Sequence, residues 1–191
     1  MVFGALVVGA AAVLVWRDVR RTRDGVRPRV LAAMWGESLG WAVVCAAAVG
    51  AATGVVVHAL TAHRVAAAGL ALGAPGLPPL GAPARLMLSL GAGLYEELLF
   101  RVVLVGAVAA LARRVLGVGA GVAGVIATLV GALAFAAAHY VGVYGDRLTL
   151  DSFVFRAIAG LFFSALYLLR GFGITAWTHA LYDVGVLVVG G

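Results

Sequence analysis

An all-α, polytopic transmembrane bundle of about six helices is the fold class that the sequence predicts, and three observations predict it. Hydrophobic residues fill 64% of the 191 positions and the mean hydropathy is +1.10, more apolar surface than a water-soluble domain of this length can bury. The apolar runs are long and continuous, without the alternation a barrel strand requires. A backbone in lipid is satisfied only as helix or closed barrel, so helices are the reading. Ionisable residues interrupt these runs in three sets, Glu96-Glu97-x-x-x-Arg101, Phe135-x-x-x-His139 and His179-x-x-x-Asp183. Such groups are costly at membrane depth, and their recurrence points to a buried reaction centre.

The first apolar segment, Met1 to Trp16, carries its positive charges after it, whereas a secretory signal carries them before its apolar run. It reads as a short helix with its N-terminus outside, and its shortness suggests residues missing before it. Six of the fourteen arginines follow in one loop (Arg17, Arg20, Arg21, Arg23, Arg27 and Arg29) against only Asp18 and Asp24. They lack the interleaved aromatic residues of a nucleic-acid surface. The partner expected for this loop is the lipid bilayer on its cytoplasmic side, and no nucleic acid. The complete absence of Lys reads as biased coding composition.

A second helix is expected from about Val30 to about Leu60, long enough to span with tilt. The stretch Gly69 to Pro83, with Pro75, Pro78, Pro79 and Pro83, cannot continue a regular helix and reads as the main connection. It divides the chain into N-terminal transmembrane helices with their connection, residues 1–83, and a core, residues 84–191. The third helix, about Ala84 to Ala112, carries the Glu-Glu-Arg set and ends at Arg113 and Arg114. A fourth, about Val118 to Tyr140, carries His139 and is followed by a polar loop from Gly142 to Asp151. The fifth runs from about Ser152 to Leu169, and the sixth, from about Ile174 to Val189, carries His179 and Asp183.

With alternating direction, the loops at 17–29, 113–114 and 170 share one side and hold nine arginines, against Arg64, Arg85, Arg147 and Arg156 on the other. The positive-inside rule then puts both termini outside. Depth resists this scheme: Glu96 lies about 24 Å from the Arg113 turn, whereas His179 lies only about 14 Å from Arg170, at 1.5 Å per residue. One site forms only if the turn Gly171-Phe172-Gly173 is drawn into the membrane or the helices tilt strongly.

Several patterns carry no function. Gly119-x-Gly121-x-x-Gly124 matches a dinucleotide fingerprint, but no strand precedes it and it lies in a membrane segment. The pairs Gly50/Gly54, Gly69/Gly73 and Gly117/Gly121 are explained by close helix packing. Cys45, the single cysteine, reads as a packing residue. His58 and His63 read as interfacial residues at the exit of the second helix, and Glu37 as a partner for Arg29 or a group entering the cavity.

Within the third helix, Glu97 and Arg101 stand four apart in the favourable order, acid before base, and neutralise each other. Glu96 points about 100° away, towards the face of Gly93 and Phe100, and is left without a local partner. A desolvated carboxylate of this kind suits a general base. His139 shares a face with Phe135, and His179 with Asp183. Together the acids and imidazoles make a centre able to hold and activate water. Helix glue is the plain alternative, but it is commonly Ser, Thr, Asn or Gln.

In order and spacing, Glu96-Glu97-Leu98-Leu99-Phe100-Arg101, Phe135-Ala136-Ala137-Ala138-His139 and His179-Ala180-Leu181-Tyr182-Asp183 resemble the three motifs of the CPBP intramembrane proteases. That family includes CAAX-processing endoproteases and bacteriocin-processing or self-immunity proteins, and the resemblance covers about residues 84 to 189. It implies an intramembrane endopeptidase acting on a peptide or protein substrate, in which Glu96 activates water with His139, and His179 and Asp183 stabilise the oxyanion. Glu97 and Arg101 would hold the helix in shape and tune Glu96. An ionised Asp183 cannot donate to an oxyanion and would instead orient or charge His179. The family's metalloprotease label implies Zn²⁺, for which Glu96, His139 and His179 would be the ligands. Nothing here resembles H-E-x-x-H, so the preferred reading is glutamate chemistry requiring no cofactor. The expected location is the plasma (inner) membrane of a prokaryote. Two other functions remain open, a non-proteolytic immunity or scaffold protein and a proton-coupled transporter. The intact polar set argues against the first, and the absence of a visible internal repeat against the second.

Overall fold

A computed structural model of the chain describes residues 27–61, 81–142 and 145–189. The expected first helix, the arginines from Arg17 to Arg23, His63 and most of the Gly/Pro-rich connection, with Gly69 and Gly73, lie outside them. All secondary structure among the described residues is helical, in five rods. Helix α1 is Pro28–Thr61. The second rod is continuous but changes character along its length: α2, Ala82–Glu97, passes into a π-helical stretch, Leu98–Val105, and then into α3, Gly106–Val115. The others are α4, Ala120–Ala138, α5, Leu150–Arg170, and α6, Phe172–Val189.

The rod boundaries have local causes. Proline tolerates the first turn because its missing N–H has no partner there, so Pro28 and Pro83 sit inside helix starts. The connection therefore ends before Pro83, two residues earlier than expected. Thr149 caps α5, its side chain accepting the Ser152 amide at 3.3 Å. Between α5 and α6 stands only Gly171, whose φ of +79° favours a residue without Cβ.

Helix α6 is flanked by α1, α5 and α2, while α4 packs against α5, the π stretch and α3. α1 buries Ser38, Ala42, Cys45, Val49 and Thr53, a narrow stripe of small or slender side chains that lets helices approach in lipid. Cys45 and Val49 join Ala159 and Phe163 in the core, so Cys45 is a packing residue. The tightest approaches, however, do not fall on the G-x-x-x-G pairs. A Cβ on Gly50, Gly54 or Gly121 would meet nothing within 4 Å, and Gly117 instead serves a turn with φ +65°. The intimate contacts are at Gly93, where a Cβ would lie 2.6 Å from the Ala180 nitrogen, and at Gly160, where it would lie 2.9 Å from the Ala132 Cα. A spacing rule identifies a helix face, not which face meets a neighbour.

By length and composition α1, α4 and α5 are each apolar enough to cross a membrane; the two rods that carry Glu96, Glu97, His179 and Asp183 are not among them. The protein is an integral membrane protein.

Candidate active site

All three polar sets converge where α2, the end of α4, α5 and α6 meet. The close approach at Gly93 sets α2 against α6 one turn before Glu97, and the two glutamates meet His179 there. The π stretch begins directly after Glu97. Its i→i+5 bonding widens the helix, a feature common at functional sites. The sequence expectation was one regular helix, and it missed this change of pitch.

The residues sort into two layers. In the inner one Glu97, Arg101 and His179 are 0%, 2% and 5% exposed. Arg101 Nε lies 3.1 Å from Glu97 Oε2 without the alignment of a hydrogen bond, so the contact is ionic; Arg101 Nη2 donates to the Gly160 carbonyl at 3.3 Å. The guanidinium also lies over Phe135, 4.4 Å from the ring centroid, a cation–π contact in a dry setting. Glu97 has a second partner that the i,i+4 spacing did not reveal: its Oε1 is 2.8 Å from His179 Nδ1. Because an ionised carboxylate only accepts, Nδ1 carries the proton. The His179 ring stacks on Phe163, with centroids 4.5 Å apart and planes 18° apart.

The outer layer holds Glu96, His139 and Asp183, whose side chains keep 24%, 26% and 29% exposure. His139 Nδ1 is 2.8 Å from the Phe135 carbonyl oxygen. A carbonyl only accepts, so Nδ1 is again the protonated nitrogen and the neutral ring presents an Nε2 lone pair. That Nε2 lies 3.8 Å from Glu96 Oε2, and the Nε2 of His179 lies 3.9 Å from the same oxygen. Asp183 Oδ2 is 3.7 Å from His179 Nε2. Orientation of His179 therefore falls to Glu97 at Nδ1, while Asp183 stands beside the free edge of the ring.

Phe135 is the hub of the aromatic packing, edge-on to Phe100, His139 and His179 at centroid distances of 5.4, 4.9 and 5.9 Å. Glu37 is not in the site and not with Arg29. Its carboxylate takes a two-point contact from Arg170, with Nη2 to Oε2 at 2.6 Å, and accepts from Trp41 Nε1 at 3.3 Å. His58 is exposed in the last turn of α1. Sequence reasoning missed Phe163 and Gly160, both on the motif-free α5; an interior helix glycine is the one weak signal of such a close backbone approach.

Glu96, His139 and His179 are the only zinc set the motifs suggest. Neighbouring donors of a tetrahedral zinc at about 2.0–2.1 Å stand about 3.3 Å apart, closer than Glu96 Oε2 stands to either imidazole. Among the described residues no group of three or more His, Cys, Asp or Glu is arranged to hold a metal ion. As placed, these residues do not fit zinc.

A family model described as type II CAAX prenyl endopeptidase Rce1-like matches residues 78–185, more than half of the chain and all three polar sets. No curated protein and no solved structure matches the chain.

Proposed function

Since the chain belongs to the Rce1-like family of type II CAAX prenyl endopeptidases, we propose that it is an intramembrane endopeptidase in which Glu96 and His139 activate water against a peptide bond brought to this site. The observation that carries this reading is the position of Glu96 Oε2, 3.8 and 3.9 Å from two Nε2 atoms. Its neighbour Glu97 is already engaged by Arg101 and His179, so the accessible carboxylate is the one free to react.

A water placed between Glu96 Oε2 and the His139 Nε2 lone pair, which are 3.8 Å apart, would be within hydrogen-bond reach of both. Glu96 takes a proton from it as its oxygen bonds to the scissile carbonyl carbon, and the C=O electron pair moves onto oxygen. His179 meets that oxyanion through Nε2–H. With Nδ1–H already given to Glu97, this needs the imidazolium, whose counter-charge Glu97 supplies. Asp183 adds a donor when protonated. Collapse re-forms the carbonyl, the C–N bond breaks, and the amine leaves with the proton held by Glu96.

The substrate class follows from the surroundings: a peptide delivered to, or embedded in, the bilayer. The test is hydrolysis of such peptides by the purified protein in detergent and in liposomes. Glu96→Gln is expected to remove at least about 10³-fold of the rate, within the range for a positioned general base, while the protein remains folded. A Glu96→Gln form as active as the parent would sink the assignment.

A further inference from the structure

Helix α5 contributes no residue to the three motifs, yet one of its faces lies against Arg101, His179 and the chain that follows His139. Ser152, Arg156, Gly160 and Phe163 follow at spacings of four, four and three, a single stripe. Phe163 backs His179, and the Gly160 carbonyl receives Arg101. The N-terminal part of the stripe reaches instead to the chain just after His139. Arg156 forms an ion pair with Asp146, its guanidinium lies 5.4 Å from the Tyr140 ring centroid, and the Tyr140 hydroxyl donates to Ser152 Oγ at 2.8 Å.

His139 needs such support more than the other site residues do. It occupies the C-cap of α4, where backbone carbonyls run out of intrahelical partners and the last turn frays. Its own carbonyl is satisfied from outside the helix, by the Asp146 amide at 2.9 Å. The chain can return to make that bond because residue 145 is glycine: a Cβ there would lie 2.8 Å from the Tyr140 carbonyl carbon. Glu97 and Arg101 are locked by burial, but the His139 side chain is 26% exposed and, among the described residues, hydrogen-bonds only to the Phe135 carbonyl, with the Phe135 ring packed edge-on against it.

We propose that Arg156 is a positioning residue for His139: by clamping the Asp146 carboxylate it holds the Asp146 amide on the His139 carbonyl and so fixes the imidazole in front of Glu96. This rests on the endopeptidase reading for its kinetic consequence, but not for the geometry. Arg156 and Asp146 then act as one unit, so removing either has the same effect, and removing both adds nothing. Displacement of a reacting group by about 1 Å costs on the order of 10²-fold in rate.

The experiment is a double-mutant cycle of Arg156→Gln and Asp146→Ala, with Arg156→Lys as the conservative variant, in the full-length protein. Each single variant and the double are expected to lose between about 10- and 100-fold in kcat with KM nearly unchanged, and Arg156→Lys to recover most of the loss. A second readout needs no activity. Acylation of imidazoles by diethyl pyrocarbonate, followed by peptide mass spectrometry, is expected to show several-fold faster modification of His139 in all three impaired variants, with His58 as internal reference. Arg156→Gln severe beside a mild Asp146→Ala, with additive effects, would overturn the clamp in favour of a direct role for Arg156. Unchanged His139 reactivity in well-folded variants would overturn it as well. A parent that cleaves no peptide, with the reactivity pattern intact, would count against the endopeptidase reading and leave the clamp standing.

Discussion

Glu97 is the residue on which the rest of the site leans, because one carboxylate binds Arg101 with Oε2 and His179 with Oε1. Arg101→Ala leaves that buried carboxylate with an imidazole as its remaining counter-charge, and breaking a buried pair from one side costs about 3–5 kcal/mol. Poor membrane yield and early thermal unfolding are expected. Replacing both partners, Glu97→Gln with Arg101→Met, should restore folding, since the double change removes both charges and leaves no uncompensated one buried. The double variant should still cleave slowly, because His179 has lost its counter-charge. Recovery of both fold and full rate would show that Glu97 serves structure alone. Asp183 tests the oxyanion reading against zinc chemistry, which the residues as placed do not fit. Asn donates at every pH, so under the oxyanion reading Asp183→Asn keeps or raises activity near neutral pH and flattens the alkaline loss. As a support for a metal-bound His179 it would instead weaken metal affinity by about 10- to 100-fold. pH–rate profiles of both forms, with and without a chelator, decide this. A chelator-sensitive parent together with a dead Asn form would make zinc chemistry the correct account despite the 3.8 and 3.9 Å separations.

Between residues and whole molecule, the elements explain what was legible and what was not. Five helices were readable from hydropathy and breakers to within a few residues, since each is a long apolar run between Pro, Gly or Arg. The partition of Glu96 from Glu97 was readable too, because a 100° step separates adjacent helix positions. The π stretch left no trace in composition. It is set where the helix meets α4, and there a Cβ on Gly131 would lie 2.6 Å from Val105 Cγ2 and 3.8 Å from the Phe100 carbonyl oxygen. Long-range partners were equally silent: Glu37 with Arg170, Glu97 with His179, and Phe163 under the imidazole depend on which faces meet. Two glycines test this level. Gly93→Ala sets a Cβ against the Ala180 backbone and must separate α2 from α6, at about 1–3 kcal/mol of overpacking. Gly106→Ala points into open space and is expected to stabilise its helix by about 0.5–1 kcal/mol. Thermal unfolding should move in opposite directions for the two, and cleavage should fall only in Gly93→Ala. Equal behaviour would mean that the α2–α6 approach does not govern the site.

At the scale of the whole molecule, the rods end at different heights. Glu97 touches His179, yet Arg113 lies up to about 24 Å along its rod from that level, less the shortening of the π stretch, and Arg170 only about 14 Å, at 1.5 Å per α-helical residue. The Arg113–Arg114 end therefore stands beyond the Gly171 turn, by up to about 10 Å, if the rods run side by side. α1 repeats the offset: Glu37 is level with Arg170 through their ion pair, and nine further residues, about 14 Å, lead back to Pro28. At 34 residues, α1 is about 50 Å long against a hydrocarbon core of about 30 Å, so one or both of its ends must leave the lipid or the helix must tilt. These offsets favour a turn recessed into the bilayer between two protruding helix ends, on the side that carries Arg27, Arg29, Arg113, Arg114 and Arg170 among the described residues, which the positive-inside rule makes cytoplasmic. Single cysteines in a Cys45→Ser background test both parts. Arg113→Cys is expected to react quickly with a membrane-impermeant maleimide applied from the cytoplasmic side, Phe172→Cys slowly, and Arg23→Cys from that side only. A nitroxide at position 172 should show more collision with oxygen, and less with a water-soluble nickel complex, than one at position 113. Labelling of position 23 from outside alone would reverse the orientation, while equal accessibility of positions 172 and 113 would put the turn at the interface and leave helix tilt to bring the glutamates to His179.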